Sequence, residues 1–107
     1  MILIYTTAEN EKEAEKIVEA LLKKRLAACC NIFPIKSRYW WKGKIEKGKE
    51  FAILCKTTEK KADAAEKEIK NLHLYETPVI IRFNTTASKE YEEYVVKSTE
   101  DKKCLIK

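Results

Sequence analysis

Thiols and a single imidazole are the side chains of this sequence best suited to binding a metal ion. The 107 residues include four cysteines and one histidine, His73. Thiolates and imidazole are soft or borderline ligands that suit copper and zinc. No two cysteines have the C-x-x-C spacing of a zinc finger or a thioredoxin-like motif, so one chain cannot supply four such ligands. We therefore expect a metal site to span a subunit boundary, where symmetry brings in further donors.

Three residues are the candidate metal ligands. Cys29 lies in an alternating segment and is expected to face away from the helices. His73 and Glu76 are three positions apart, a spacing that places both on one side at a helix end. The structural alternatives are a core cysteine and a helix-cap or surface histidine. The expected ligand is copper or another divalent metal ion, which is not required for folding.

A second set of candidates could line a cleft for a small ligand. Aromatic residues flank a glycine-containing turn, and charged residues follow them in the chain. Their structural alternative is packing within or between subunits, because aromatic side chains dominate interface energetics. If subunits meet along this segment, polar groups among aromatic rings would form a small-molecule pocket. The candidates are Tyr39, Trp40, Glu46, Lys56 and Tyr75.

The element that must position these residues is a long β-hairpin in residues 25–57. Apolar residues alternate with polar ones on both sides of a Lys42-Gly43 turn, as in half-buried strands. Glycine supplies the positive φ that a two-residue hairpin loop needs. With that loop, Cys30 lies opposite Cys55. This pair is either two packed small hydrophobic residues or, if the geometry permits, a disulfide or a shared site for a soft metal.

The same register places cations opposite each other in the outer part of the hairpin. Arg38 would face Lys47, and Lys36 would face Lys49. Like charges directly opposite are unfavourable in a sheet. We therefore expect either a bulge at Gly48 or a different pairing of the outer residues.

The remaining pattern predicts an α+β domain. Asn10 with Glu13 forms a capping-box-like pair, and apolar residues then recur at helical spacing, including Leu21 and Leu22. The elements in order are a strand at residues 2–7, a helix capped by Asn10, the hairpin, a helix capped by Thr58, a strand at residues 79–83 and a short helix capped by Ser88. This is the ferredoxin-like βαββαβ sandwich with an additional C-terminal helix, in one domain over residues 1–107. Residues 99–107 are either a frayed tail or a short added strand.

The predicted sheet has one face without a cover. The helices are expected to lie on one face, and the other face carries Phe33 and Ile35, which are poorly suited to water. An exposed apolar sheet face usually marks an association surface. We therefore expect a homo-oligomer. The residues on this face are Cys29, Asn31, Phe33, Ile35 and Tyr39.

Composition argues against several other classes. The net charge is +5, but both signs are interleaved and only three of 22 basic residues are arginine, which disfavours nucleic-acid binding. No apolar run approaches the roughly 18 residues of a membrane span. The start has no signal-peptide pattern, so we expect a cytoplasmic protein. There is no Ser-His-Asp order and there are only two aspartates, which disfavours a hydrolytic enzyme.

Ordered segments of the sequence resemble the CutA family of divalent-cation tolerance proteins. They are YTTAENEKEAEKIVEALLKKRLAACCNI, SRYWWKGKIE, LCKTTE and LHLYETPVIIR, and together they cover nearly all of residues 3–83. The cysteine of the AAC segment matches Cys29, whereas Cys30 is additional. Leu74 stands where the family commonly has proline, and Val79 where it often has an acidic residue.

The resemblance implies a homotrimer of ferredoxin-like subunits, similar in architecture to the PII signalling proteins. It also implies hairpin strands that pair across subunits. The implied function is tolerance of copper and other divalent metal ions, with copper bound by some members and no enzymatic activity. An alternative is a PII-like sensor that binds a small metabolite in clefts between subunits, although the sequence has no glycine-rich phosphate loop.

Overall fold

A computed structural model of the chain describes residues 1–101. Residues 102–107, which include Cys104 and the end of the predicted tail, lie outside the described residues. The order of the elements is as predicted, and the expected ferredoxin-like fold with an additional C-terminal helix is confirmed. The elements are β1 (Ile2–Ala8), α1 (Glu11–Lys23), β2 (Cys29–Trp41), β3 (Lys44–Thr57), α2 (Glu59–Leu72), β4 (Ile80–Asn84) and α3 (Lys89–Ser98).

The four strands form one antiparallel sheet in the order β2-β3-β1-β4. β1 and β3 are central because each pairs with two neighbours, and β2 and β4 are the edges. α1 and α2 cover one face of this sheet and bury the apolar residues that alternate along its strands. The fully buried residues of this core include Ile4, Ile17, Leu21, Ile53, Cys55 and Ile69.

The apolar stripe of α1 is narrower than the sequence suggested. Leu21 is fully buried, but its neighbour Leu22 keeps 40% of its surface exposed. Successive residues on a helix lie about 100° apart, so both cannot point at the same sheet. Leu22 therefore lies at the flank of the stripe and not in the core.

Each of the three helices begins at the residue that the sequence predicted. Asn10 Oδ1 accepts the backbone N–H of Glu13 at 2.8 Å. Thr58 and Ser88 cap α2 and α3 in the same way, with hydroxyl oxygens that accept a backbone N–H three residues later. These side chains satisfy backbone donors that have no partner within the helix. The helix starts are therefore determined locally.

The hairpin has the predicted turn and register. Lys42 and Gly43 both have positive φ, at 51° and 78°. Cys30 pairs with Cys55, and the ladder continues without a bulge, with Gly48 opposite Ser37. The expectation of a bulge or an altered register was wrong, because the facing cations are exposed to water, where repulsion between them is weak and screened.

The outer part of the hairpin extends beyond the rest of the sheet. β1 pairs with β3 only as far as Phe51, so residues 35–50 form a two-stranded arm, and the chain measures 55 × 25 × 20 Å. Trp40 and Ile45 lie opposite each other on one face of this arm and are 73% and 62% exposed. Tyr39 and Trp41 are exposed on its other face. Within residues 1–101 no further strand pairs with the arm. An isolated two-stranded ribbon of this kind is only marginally stable in water.

The sheet face opposite α1 and α2, here called the second face, is apolar. The exposed apolar residues of this face are Phe33, Ile81 and Phe83. Leu3 and Tyr5 of β1 lie between them in the sheet and are partly buried. An apolar surface of this kind marks an association site in most proteins.

The expectation that the helices all lie on one sheet face was wrong for α3. Tyr91 of α3 forms a side-chain hydrogen bond with Cys29, which is a residue of the second face. Tyr94 donates from its hydroxyl to the carbonyl of Ala28 at 3.3 Å. α3 therefore covers the end of the second face where β2 begins, and the described part of the chain leaves Phe33, Ile81 and Phe83 exposed on the remainder.

Candidate functional site

Cys29 lies on the second face at the start of β2, as the sequence predicted. Its sulfur is 3.8 Å from the Lys56 ammonium, which also donates a hydrogen bond to Asn31 Oδ1. Tyr91 hydrogen-bonds to the same sulfur, and together with burial this contact raises the pKa of Tyr91. Cys29 is thus a partly buried sulfur with the Lys56 ammonium and the Tyr91 hydroxyl beside it.

His73 is held by its own chain through both ring nitrogens. Its side chain is fully buried, Nε2 lies against the carbonyl oxygen of Thr7, and Nδ1 accepts the backbone N–H of Tyr75 at 3.1 Å. Because Nδ1 is an acceptor, the proton sits on Nε2, which donates to Thr7. A metal ion could reach this ring only by displacing one of these hydrogen bonds.

The spacing argument for His73 and Glu76 was wrong in its geometry. α2 ends at Leu72, and His73 is a C-cap residue with extended backbone angles, φ −74° and ψ 140°. The two residues therefore do not share the side of a helix. Glu76 is exposed in the loop between α2 and β4, whereas His73 points inward.

Glu13 is the buried acid that fixes this loop to α1. It is only 5% exposed, and its two carboxylate oxygens accept the backbone N–H groups of Glu9 and Leu74, both at 2.7 Å. The same carboxylate lies 3.7 Å from His73 Nδ1. Only the Asn10 half of the predicted capping box is present, because the Glu13 carboxylate accepts the N–H of Glu9 and not that of Asn10. Its second oxygen satisfies a donor 61 positions away in the chain.

Tyr75 and two residues of the arm form a polar cluster, here called the arm-base cluster. Tyr75 donates its hydroxyl to Glu50 Oε2 at 2.7 Å, and Ser37 donates to Glu50 Oε1 at 2.6 Å. Partial burial raises the pKa of Tyr75, and the adjacent Glu50 carboxylate adds to the effect. The phenol therefore stays a neutral donor across the physiological range, and the loop is tied to the base of the arm.

The other cleft candidates do not converge within one chain. Tyr39 and Glu46 face each other in the arm, and Trp40 is beside them. Lys56 is ten positions from Glu46 on β3, which is about 33 Å of extended strand. The only cleft candidates close to one another are therefore those of the arm, with Tyr75 at its base.

The candidate metal ligands are likewise apart in one chain. Cys29 shares a register row with Leu3, whereas His73 contacts Thr7, four positions further along β1, or about 13 Å. Among residues 1–101, no group of three or more His, Cys, Asp or Glu side chains is placed to hold a metal ion. A site that uses Cys29 with His73 or Glu76 would thus need two chains.

Cys30 and Cys55 face each other as the register predicted. They are unoxidised thiols whose side chains are hydrogen-bonded to each other. The hydrogen bond from Cys55 lowers the pKa of Cys30, while the same bond and burial raise the pKa of Cys55. The two facing thiols thus differ in environment, because Cys55 is fully buried and Cys30 is only partly buried.

The long-range contacts of two acids and one serine were not predicted from the sequence. These residues are Glu13, Glu50 and Ser37. Glu13 was interpreted only as a capping residue, and Glu50 and Ser37 were not singled out. Glu50 interrupts the apolar alternation next to Phe51, which is the one local signal that it might have a partner. Its partner Tyr75 is 25 residues away, so the contact depends on the fold.

Comparison with known proteins identifies the family of this fold. The family model of CutA1, described as a divalent ion tolerance protein, matches residues 2–98. The chain belongs to the CutA1 family. The resemblance noted in the sequence is thereby confirmed.

Relatives in the family are named for divalent-cation tolerance. The Divalent-cation tolerance protein CutA of Thermotoga maritima is 52% identical over 80 residues, which are 75% of this chain and 79% of the relative. The CutA of Pyrococcus horikoshii is 40% identical over 100 residues, covering 92% and 98% of the two chains. Neither name describes an enzyme.

Solved CutA structures have the same fold. The periplasmic divalent cation tolerance protein CutA from Archaeoglobus fulgidus superimposes with a TM-score of 0.90 at 44% identity, covering 94% of this chain and all of that one. In residues 1–101 no helix is both long and apolar enough to cross a membrane.

Replacement of Glu13 should test the buried carboxylate. We expect Glu13→Ala to lower the free energy of unfolding by about 2–4 kcal/mol, because the two partly buried backbone donors of Glu9 and Leu74 lose their acceptor at about 1–2 kcal/mol each. Glu15→Ala, at an exposed position of the same helix, should change it by less than about 0.5 kcal/mol. Urea unfolding at fixed protein concentration measures both, and equal midpoints would show that the Glu13 contacts contribute little.

Proposed function

We propose that this CutA1-family chain is a divalent-cation tolerance protein that works as a homotrimer. In this proposal it binds copper or another divalent metal ion at its subunit boundaries. The observation that supports the proposal best is the arm together with the second face, which expose apolar surface that nothing in residues 1–101 covers. A family name for tolerance, shared with the relatives above, supports the cellular role.

The shape of the arm supports an assembly in which each chain completes its neighbour. Both edges of the arm present unpaired backbone groups, which are available to a strand of another copy. Exposed tryptophans near the turn would bury a large area on contact. In a ring of three identical chains, each chain uses the same surfaces to contact its two neighbours. Because the ring is closed, no edge is left free to add further copies, and fibres do not form.

Three residues are candidates for a metal site at a subunit boundary, and the structure supports them unequally. They are Cys29, His73 and Glu76. Cys29 and His73 lie at opposite ends of the sheet in one chain, so only a neighbouring copy could bring them together. Glu76 is exposed and needs no rearrangement to bind a cation. His73 would first have to lose its hydrogen bond to Thr7 or Tyr75. We therefore propose Cys29 and Glu76 as the principal ligands and His73 as a residue that positions the loop.

The rest of the proposal concerns what the protein does not do and where it acts. We propose that it has no enzymatic activity and does not bind nucleic acid or membranes. The cytoplasm is the proposed location, whereas the A. fulgidus relative is described as periplasmic.

Calorimetric titration with Cu²⁺ tests the proposed boundary site. Cys29→Ser and Glu76→Gln should each weaken binding by at least about 10-fold, because even residues outside the first coordination shell are worth 10–100-fold in metal affinity. Glu90→Gln, an exposed acid on α3, is the matched control and should bind as the unmodified protein does. Unchanged affinity in both ligand variants would contradict the proposed site.

A PII-like sensor is the second candidate function, and the arm-base cluster favours it. The arm-base cluster places polar groups beside Tyr39. The Tyr39 ring lies over Gly48, where an added Cβ would be 3.7 Å from it. Polar groups that converge among aromatic rings are typical of small-molecule pockets. A neighbouring arm could close such a pocket from above.

Thermal shift against a metabolite panel separates this candidate from metal tolerance. A bound nucleotide, amino acid or dicarboxylate should raise the melting temperature, because a ligand of the native state stabilises it by mass action. Tyr75→Phe should abolish that shift, while Tyr94→Phe on α3 should keep it. If no compound in the panel raises the melting temperature, the sensor candidate is excluded for those compounds.

A further inference from the structure

Cys30 and Cys55 form a pair of adjacent sulfurs between two strands of one chain. They are register partners on β2 and β3 with both side chains on the same face of the sheet, which places their Cβ atoms about 4.5–5.5 Å apart. Cys55 is fully buried in the core, whereas Cys30 is partly buried and packs against it. The Cys30 sulfur is thus the more accessible of the two at the edge of the core, and the Cys55 sulfur lies further inside.

The surroundings of the two sulfurs are apolar. The neighbouring positions on the same face of the sheet are Ile32, opposite Ile53, and Ile4, opposite Cys55 on β1. No carboxylate or imidazole is positioned among these register neighbours. A site of this composition offers two soft ligands and no oxygen, which disfavours hard cations such as Mg²⁺ and Ca²⁺.

The charge of the site is also suited to a small monovalent cation. Two thiolates would carry two negative charges into an apolar environment, which is costly unless they are compensated. A monovalent metal ion neutralises one of these charges. The Lys56 ammonium lies 3.8 Å from the sulfur of the adjacent residue Cys29, and its positive charge offsets part of the other.

We propose that Cys30 and Cys55 together bind Cu(I) as a two-coordinate site within a single chain. The two thiols release their protons to solvent as two Cu–S bonds form, and the copper stays in the +1 state, so no electron is transferred. Soft thiolate ligands suit Cu(I), whereas a structural Zn²⁺ site needs four ligands and this pair supplies only two. The ion enters past the partly exposed Cys30.

This site is independent of the boundary site proposed above. Cys29 precedes Cys30 in the strand, so its side chain points to the second face, and it cannot join the pair without a change in the backbone. The pair needs no neighbouring subunit. Failure of the boundary site, which is tested with Cu²⁺, would therefore leave this proposal standing, and the reverse also holds.

An anaerobic competition titration tests the proposal. Reduced protein is titrated with an acetonitrile complex of Cu(I) in the presence of bicinchoninate, a chromogenic chelator that reports the copper not bound by protein. Cys30→Ser and Cys55→Ala should each weaken Cu(I) binding by at least about 100-fold, because a first-shell ligand is worth more than the 10–100-fold of its outer-shell partners. Cys104→Ser is the matched control, and we expect it to compete as the unmodified protein does.

Cys30→Ser keeps the test decisive if Cys55→Ala fails to fold, because Cys30 is only partly buried. Thermal unfolding of each variant establishes which of them are folded, and near-ultraviolet absorption from the Cu(I)–thiolate bonds reports binding directly. This absorption should develop in the unmodified protein and be lost in Cys30→Ser. Copper binding by folded Cys30→Ser at the affinity of the unmodified protein would overturn the proposal. A reduced, unmodified protein that takes no Cu(I) from the chelator would also overturn it.

Discussion

The structure depends on a two-stranded arm that pairs with no other strand of the described residues 1–101. A hairpin longer than the sheet it belongs to gains backbone hydrogen bonds within the ribbon but leaves apolar side chains in water on both of its faces. Trp40 and Ile45 on one side, and Tyr39 and Trp41 on the other, cannot all be buried by α1 or α2. The proposed homotrimer would bury this surface between identical chains.

The remainder of the domain holds the base of the arm in place. The loop after α2 is fixed to α1 by Glu13 and to β1 by His73, and Tyr75 then ties it to Glu50 at the point where the arm leaves the sheet. These are buried or partly buried hydrogen bonds whose partners would otherwise be unsatisfied. His73 thus supports the geometry of the loop, and Glu76 is left exposed on its outer surface.

Features set by neighbouring residues could be predicted from the sequence, whereas features set by long-range contacts could not. The caps at Asn10, Thr58 and Ser88 and the Lys42-Gly43 turn follow from local chemistry, and the register that pairs Cys30 with Cys55 follows from the turn. The burial of His73 depends on Thr7, 66 positions away, so its spacing from Glu76 was misleading. The contact of α3 with Cys29 is likewise set by tertiary packing. Among the candidate site residues, the facing thiols were located correctly in the chain, but the candidate ligands prove to be separated.

Sedimentation velocity over a dilution series tests the central claim most directly. If the arm and the second face are buried by identical neighbours, the protein should sediment at three times the 12.5 kDa mass of one chain down to low micromolar concentration. A folded species with the mass of one chain throughout the series would contradict the account, because the apolar arm would then be stable in water without a partner.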